Sequence, residues 1–145
     1  MTRLARFRAL EPDDRRLFLR AWIAVPLIGA ALRLLGFRNC HAMLRARSRI
    51  GREGAAVPAA DVERVARMVR AAARHGCRPR HCLTESLALW WLLRRRGVEG
   101  EIRIGVRKDA GGLDAHAWVE WRGRPLDERA DVAEAFAPLA RPSAV

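Results

Sequence analysis

Residues 87–93 read "LALWWLL", seven apolar side chains in a row, between a cysteine five positions upstream and the triplet Arg94, Arg95, Arg96. Wound as a helix, such a run is apolar on every side and has no face to offer water. It has to lie at the centre of the fold with other elements layered around it. The three arginines supply positive charge where a helix C-terminus favours it, and Gly97 follows as the stop. The pattern predicts a helix over about residues 82–96 with Cys82 at its N-terminus, after a loop held by Pro79. At 145 residues the chain is long enough for one such core and is expected to be one domain, 1–145.

Residues 1–49 read as a helical, apolar N-terminal part, 50–60 as a linker, 61–128 as the core and 129–145 as a C-terminal tail. Pro12 with Asp13 and Asp14 suits a first helical turn. Pro26 is predicted to kink or break that helix, Gly36 to stop it, and "FRNCHAMLRARSR" to form another short one. The stretch "AWIAVPLIGAALRLLGF" is apolar except for Arg33. It is shorter than the roughly 20 residues a membrane span needs and carries Pro26, Gly29 and Arg33, so no spanning segment is expected. A buried or partner-facing helix pair fits better, with peripheral membrane contact as the alternative. It holds more apolar surface than the domain needs to bury, which makes the region around Trp22 a candidate docking surface. Asp61 is predicted to cap a helix with a stripe of Val62, Val65, Val69 and Ala72, ended by Gly76.

Beyond Gly97 the period changes from helical to alternating. Ile102, Ile104 and Val106 share one face of a strand, with Glu101, Arg103 and Arg107 on the other. "KDAGGLD" reads as a turn, "AHAWVEW" as a second strand, Arg122 and Gly123 as a two-residue turn, and "RPLDE" as a third strand. Helices followed by a meander predict an α+β domain with a small antiparallel sheet packed on the central helix.

The net charge is +12, and every basic residue but Lys108 is arginine. A nucleic-acid surface would gather those arginines on a stripe; here they are scattered from Arg3 to Arg141, and no nucleic-acid partner is expected. Cys40, Cys77 and Cys82 make an odd count, and with no signal-peptide pattern they are expected as reduced thiols in a cytoplasm. His75, Cys77, His81 and Cys82 are close in sequence but match no metal-ligand spacing, so neither metal nor other cofactor is expected.

Three residues suggest chemistry. Cys82 stands at a predicted helix N-terminus, where unpaired N–H groups and partial positive charge favour a thiolate and where its own backbone N–H can meet an oxyanion. With a two-residue turn at Arg122 and Gly123, Trp121 opposes Arg124 and Trp118 opposes Asp127. His116 then shares a face with Trp118 and Asp127. It is a diagonal neighbour of Asp127, about 7–8 Å away between backbones, a gap two side chains close. A one-residue slip would send Asp127 to the other face, where parity puts Glu128. A carboxylate on one imidazole nitrogen leaves the other free as a base. Equally, a cysteine, a sheet histidine and a surface aspartate can carry no joint function. Trp118 is a candidate wall of the site. Ser86, one turn from Cys82, reads as packed, and Trp22, Trp90, Trp91 and Trp121 read as core or interface anchors.

The segment "CLTESLALWWLLRRRGVEGEIRIGVRKDAGGLDAHAWVEWRGRPLDE" resembles the transglutaminase-like cysteine leader peptidases of lasso-peptide biosynthesis. The likeness spans about residues 60–128. It is specific in the Cys-Leu-x-x-Ser-Leu-Ala-Leu helix start, the "RIGVRK" strand and the "AHAWVE…G…L-D" hairpin, and "LFLRAWIAVPLIGAALRLLGFR" resembles the family's leucine-rich N-terminal part more loosely. The resemblance implies a papain/transglutaminase-like fold with Cys82 as nucleophile, His116 as general base and acid, and Asp127 as the orienting carboxylate. It implies a cysteine protease that removes the leader of a ribosomally made precursor. As partners it implies that precursor, a separate precursor-recognition protein, which short members of the family require, and an ATP-dependent cyclase. Papain-like enzymes often take an oxyanion donor from a glutamine; this chain has none, leaving Asn39, a backbone N–H or a histidine such as His81. Two readings stay beside this one. In a transglutaminase-like acyl transferase an amine would replace water, and in a non-catalytic basic nucleic-acid-binding or scaffolding protein Cys82 would be indifferent.

Overall fold

The computed structural model describes residues 3–48, 56–76, 81–126 and 131–139. A short helix, α1 (Arg3–Arg8), is held to the next by contact of the Phe7 and Phe18 rings, 5.6 Å between centroids. The next helix, α2 (Pro12–Arg47), opens with Pro12 followed by Asp13 and Asp14. It continues through Pro26 and is not broken there. Pro26 and Trp22 are both exposed, so the carbonyl that loses its helical donor can be hydrated instead. The interruption comes at Gly36 (φ 73°, ψ 170°), a conformation glycine adopts without a Cβ penalty. The short helix expected after Gly36 is the second limb of α2. Leu17, Ala21, Ala24 and Ile28 face inward from the first limb, Cys40 and Leu44 from the second.

Helix α3 (Ala59–His75) starts two residues before Asp61, with Pro58 at its cap position and no side-chain cap. Asp61 is therefore a first-turn acid, where it still complements the dipole, and not the cap the sequence predicts. Its Val62, Val65, Val69 and Ala72 are all buried. Arg64 of α3 bonds Asp14 of α2, tying the two helices at their N-terminal ends.

Helix α4 (Cys82–Arg94) is the centre the apolar run demands. It packs against α2, α3 and the sheet, and Leu87, Ala88 and Leu93 are fully buried. Gly97 (φ 81°) closes its end, with the Gly97 N–H donating to Arg94 and the Val98 N–H to Leu93.

The sheet strands are β1 (Glu101–Asp109), β2 (Gly112–Trp121), β3 (Arg124–Pro125) and β4 (Ala137–Pro138), in the order β3-β2-β1-β4. Arg122 (φ 51°) and Gly123 (φ 75°) form the two-residue turn, and Trp121 pairs with Arg124 as the parity argument requires. Ile102 and Val119 turn to the α4 core. Residues read as a C-terminal tail supply α5 (Val132–Ala135) and then β4, which pairs with Gly105 and Val106 of β1. That closure forms a second, smaller apolar cluster of Trp118, Val132 and Phe136. Trp118 and Val119 are adjacent on β2, so this cluster lies on the face of the sheet away from α4.

Candidate active site

Cys82 is the first residue of α4, so its backbone N–H belongs to the unpaired first turn. The cap position before it is an exposed His81, whose side chain makes no capping bond. Of the two thiols described, Cys40 is fully buried, and burial pushes its thiol up from the usual range. Cys82 is half-buried and opens on a cavity of about 220 Å³.

That cavity also holds His116. Four consecutive residues of β2, His116 to Val119, line it together with Leu126, while Cys82, Glu85, Ser86 and Leu89 of α4 and Ala66, Val69 and Arg70 of α3 complete the wall. No described β1 residue contributes, and Leu126, just past β3, does. The cavity therefore runs along the edge of β2 on the β3 side, where the N-terminus of α4 meets the sheet. A floor of Ala66, Val69, Leu89 and Leu126 is apolar, and Arg70 and Glu85 bring one charge of each sign to the wall.

The imidazole of His116 is held by rings. Trp118 stacks on it at 6.0 Å between centroids and 21° between planes, and Phe136 lies at 5.3 Å. Trp118 is itself pinned: its Nε1–H donates to Glu120 Oε1 at 3.0 Å, and Arg103 Nε donates to Glu120 Oε2 at 3.0 Å. Arg103 also pairs with Glu101 at 2.9 Å. The Arg107 guanidinium covers Phe136 at 4.7 Å from the ring centre and bonds Asp114 at 2.8 Å.

Cys82 and His116 are thus brought to one cavity, Trp118 forms part of its wall, and Ser86 lies buried in it. Asp127 and its neighbour Glu128 lie outside the described residues, as does Cys77. The described part of β3 approaches in the predicted register, with the Leu126 N–H donating to the Val119 carbonyl at 2.8 Å. Asn39 and His81 are not among the cavity's lining residues, and Asn39 Nδ2 bonds the Leu35 carbonyl. Sequence reasoning missed Phe136, Arg70 and Glu85, and it passed over Gly105. The signal for Gly105 was present, since a glycine inside a strand marks a close approach by another group.

The sequence model of the transglutaminase-like superfamily matches residues 24–141. The chain belongs to the transglutaminase-like superfamily. Transglutaminase-like domains are in general cysteine peptidases and acyl transferases, and helices packed on a small antiparallel sheet are consistent with that architecture. The match takes in α4, the whole sheet and α5. It begins inside α2, so the first limb of that helix is partly outside the superfamily's common core. No curated protein and no solved structure matches the chain closely enough to narrow the superfamily further.

Proposed function

We propose that this transglutaminase-like protein is a cysteine peptidase that removes the leader from a lasso-peptide precursor. The observation that carries the reading is the shared cavity: a helix-N-terminal Cys82 and a strand-borne, ring-clamped His116 open on the same 220 Å³ space. The Cys82 sulfur attacks the carbonyl carbon at the leader's end, forming a C–S bond. His116, having taken the thiol proton, delivers it to the departing amine as the C–N bond breaks. Water then adds to the thioester with His116 as base, releasing the leader carboxylate and restoring the thiol. The tetrahedral oxyanion forms beside the first turn of α4, where the Cys82 backbone N–H donates to it. The role of orienting carboxylate is assigned to Asp127 by the resemblance. The chemistry needs no metal or cofactor.

The precursor is presented by a separate recognition protein, and the liberated core passes to an ATP-dependent cyclase. On this reading the maturation is intracellular and the protein cytoplasmic. The test is mass spectrometry of the precursor incubated with its recognition protein and this chain, wild type or Cys82→Ala. A single cut at the leader–core junction, absent with Cys82→Ala, supports the reading. If a supplied amine is joined to the leader instead of water, the enzyme is an acyl transferase. If the folded wild type acts in neither way while the recognition protein holds the precursor, the catalytic reading fails.

A further inference from the structure

The outward side of α2 carries a long apolar stripe. Leu19, Trp22, Ile23, Leu27 and Leu34 are 44–83% exposed, at spacings that keep them on the solvent side of the helix. From Leu19 to Leu34 this extends about 22 Å at 1.5 Å per residue. The helix is long and apolar enough by composition to cross a membrane, yet only 22% of its apolar 18-residue stretch is buried. It cannot cross one in this fold, because its inner face is bound to α3 and α4.

Charge identifies the occupant. From Arg15 to Arg47, α2 has seven arginines and no carboxylate. Arg16 and Arg20 stand exposed at one end of the stripe, Arg33 and Arg38 at the other. Asp13 and Asp14, the only acids of the helix, lie before the stripe and are paired with Arg16 and Arg64. The basic α1, with Arg6, Arg8 and an exposed Leu4, is held beside the same end through Phe7 and Phe18. A second copy docked antiparallel would set arginine ends against arginine ends with no acid between them. A bilayer surface with anionic headgroups meets both features: acyl chains take the leucines and Trp22, and headgroups take the arginines, whose stems lie along the apolar surface. Each arginine at such a surface adds its own attraction to the anionic headgroups.

We propose that α2 lies in the plane of an anionic membrane surface, holding the domain there by the stripe from Leu19 to Leu34. The inference is independent of the reaction catalysed. Its test is co-sedimentation of the full chain with vesicles of equal parts phosphatidylglycerol and phosphatidylcholine, and with phosphatidylcholine alone. The chain is expected to sediment with the anionic vesicles only, and less so as salt is raised. Ile23→Glu with Leu27→Glu, both exposed in the fold, should weaken partition by about tenfold or more. A second readout does not depend on the variant's folding: vesicles with brominated acyl chains should quench tryptophan emission of the wild type. No sedimentation with anionic vesicles overturns the proposal, as does equal binding by the folded double variant. A wild-type dimer that the variant abolishes, without vesicle binding, would give the stripe to a second copy.

Discussion

Gly105 stands directly opposite His116 in the β1–β2 ladder, and the space its missing side chain would fill is taken by the rings that clamp that histidine. A Cβ built there would come within 2.6 Å of Phe136 Cβ and 3.0 Å of the Trp118 ring. The strand is bare at that one position so that a C-terminal phenylalanine and a neighbouring tryptophan can close over the imidazole.

Gly105→Ala is therefore expected to force Phe136 or the β4 pairing outward. Overpacking of this kind costs about 1–3 kcal/mol, which urea denaturation will measure. Because the displaced rings hold His116, turnover should fall more than substrate affinity. A variant of unchanged stability would show that the α5–β4 segment yields without resistance.

The register of the second hairpin makes a prediction about two adjacent acids. If the ladder continues past Leu126 as it begins, Asp127 shares the His116 face and Glu128 does not. Asp127→Ala should lower the cleavage rate about 10³-fold or more, on the scale of orienting carboxylates in other triads. Glu128→Ala should leave it within a few-fold. Equal losses, read from time courses of precursor cleavage, would overturn the register.

His41 gives the fold a pH dependence away from the cavity. Its ring lies between Phe37 at 5.7 Å and Trp90 at 4.5 Å. Burial first, then Arg45 and Arg94, hold its pKa below the ordinary 6.5. The folded state thus takes up a proton less readily than the unfolded chain. Its contribution to stability is complete above about pH 6.5 and is lost as the pH falls toward the depressed folded value. Urea midpoints should decline as pH is lowered through 6.5, and His41→Phe, which keeps an aromatic ring between Phe37 and Trp90, should flatten that part of the curve.

Gly97 ends α4 in the left-handed region at φ 81°. Gly97→Ala puts a Cβ where it crowds the backbone and should cost about 1–2 kcal/mol. Arg95→Ala, in the same turn but exposed, should cost less even though it removes a guanidinium 4.9 Å from the Trp91 ring. Comparable losses in thermal or urea unfolding would mean that the left-handed closure is not what ends the helix.

The sequence by itself determined what short-range patterns encode. An all-apolar run between a cysteine and three arginines had to become the central helix. The change to alternation after Gly97 had to become strands, and a two-residue turn at Arg122 and Gly123 set which side chains share a face. The superfamily match and the hairpin pairing agree with those readings. Pro26, read as a kink or a break, does not break the helix, because a proline on the wet side of a helix leaves a carbonyl that water can satisfy. What only tertiary structure decided depends on segments far apart in the chain. Residues 129–145 read as a tail because two-residue strands carry no periodicity, yet β4 finds the free edge of β1 and brings Phe136 to His116. The same holds for the first limb of α2: its apolar residues are spread around the helix, so only the placement of α3 and α4 fixes which are buried. One side packs on those helices, and the other keeps its leucines and Trp22 in the open.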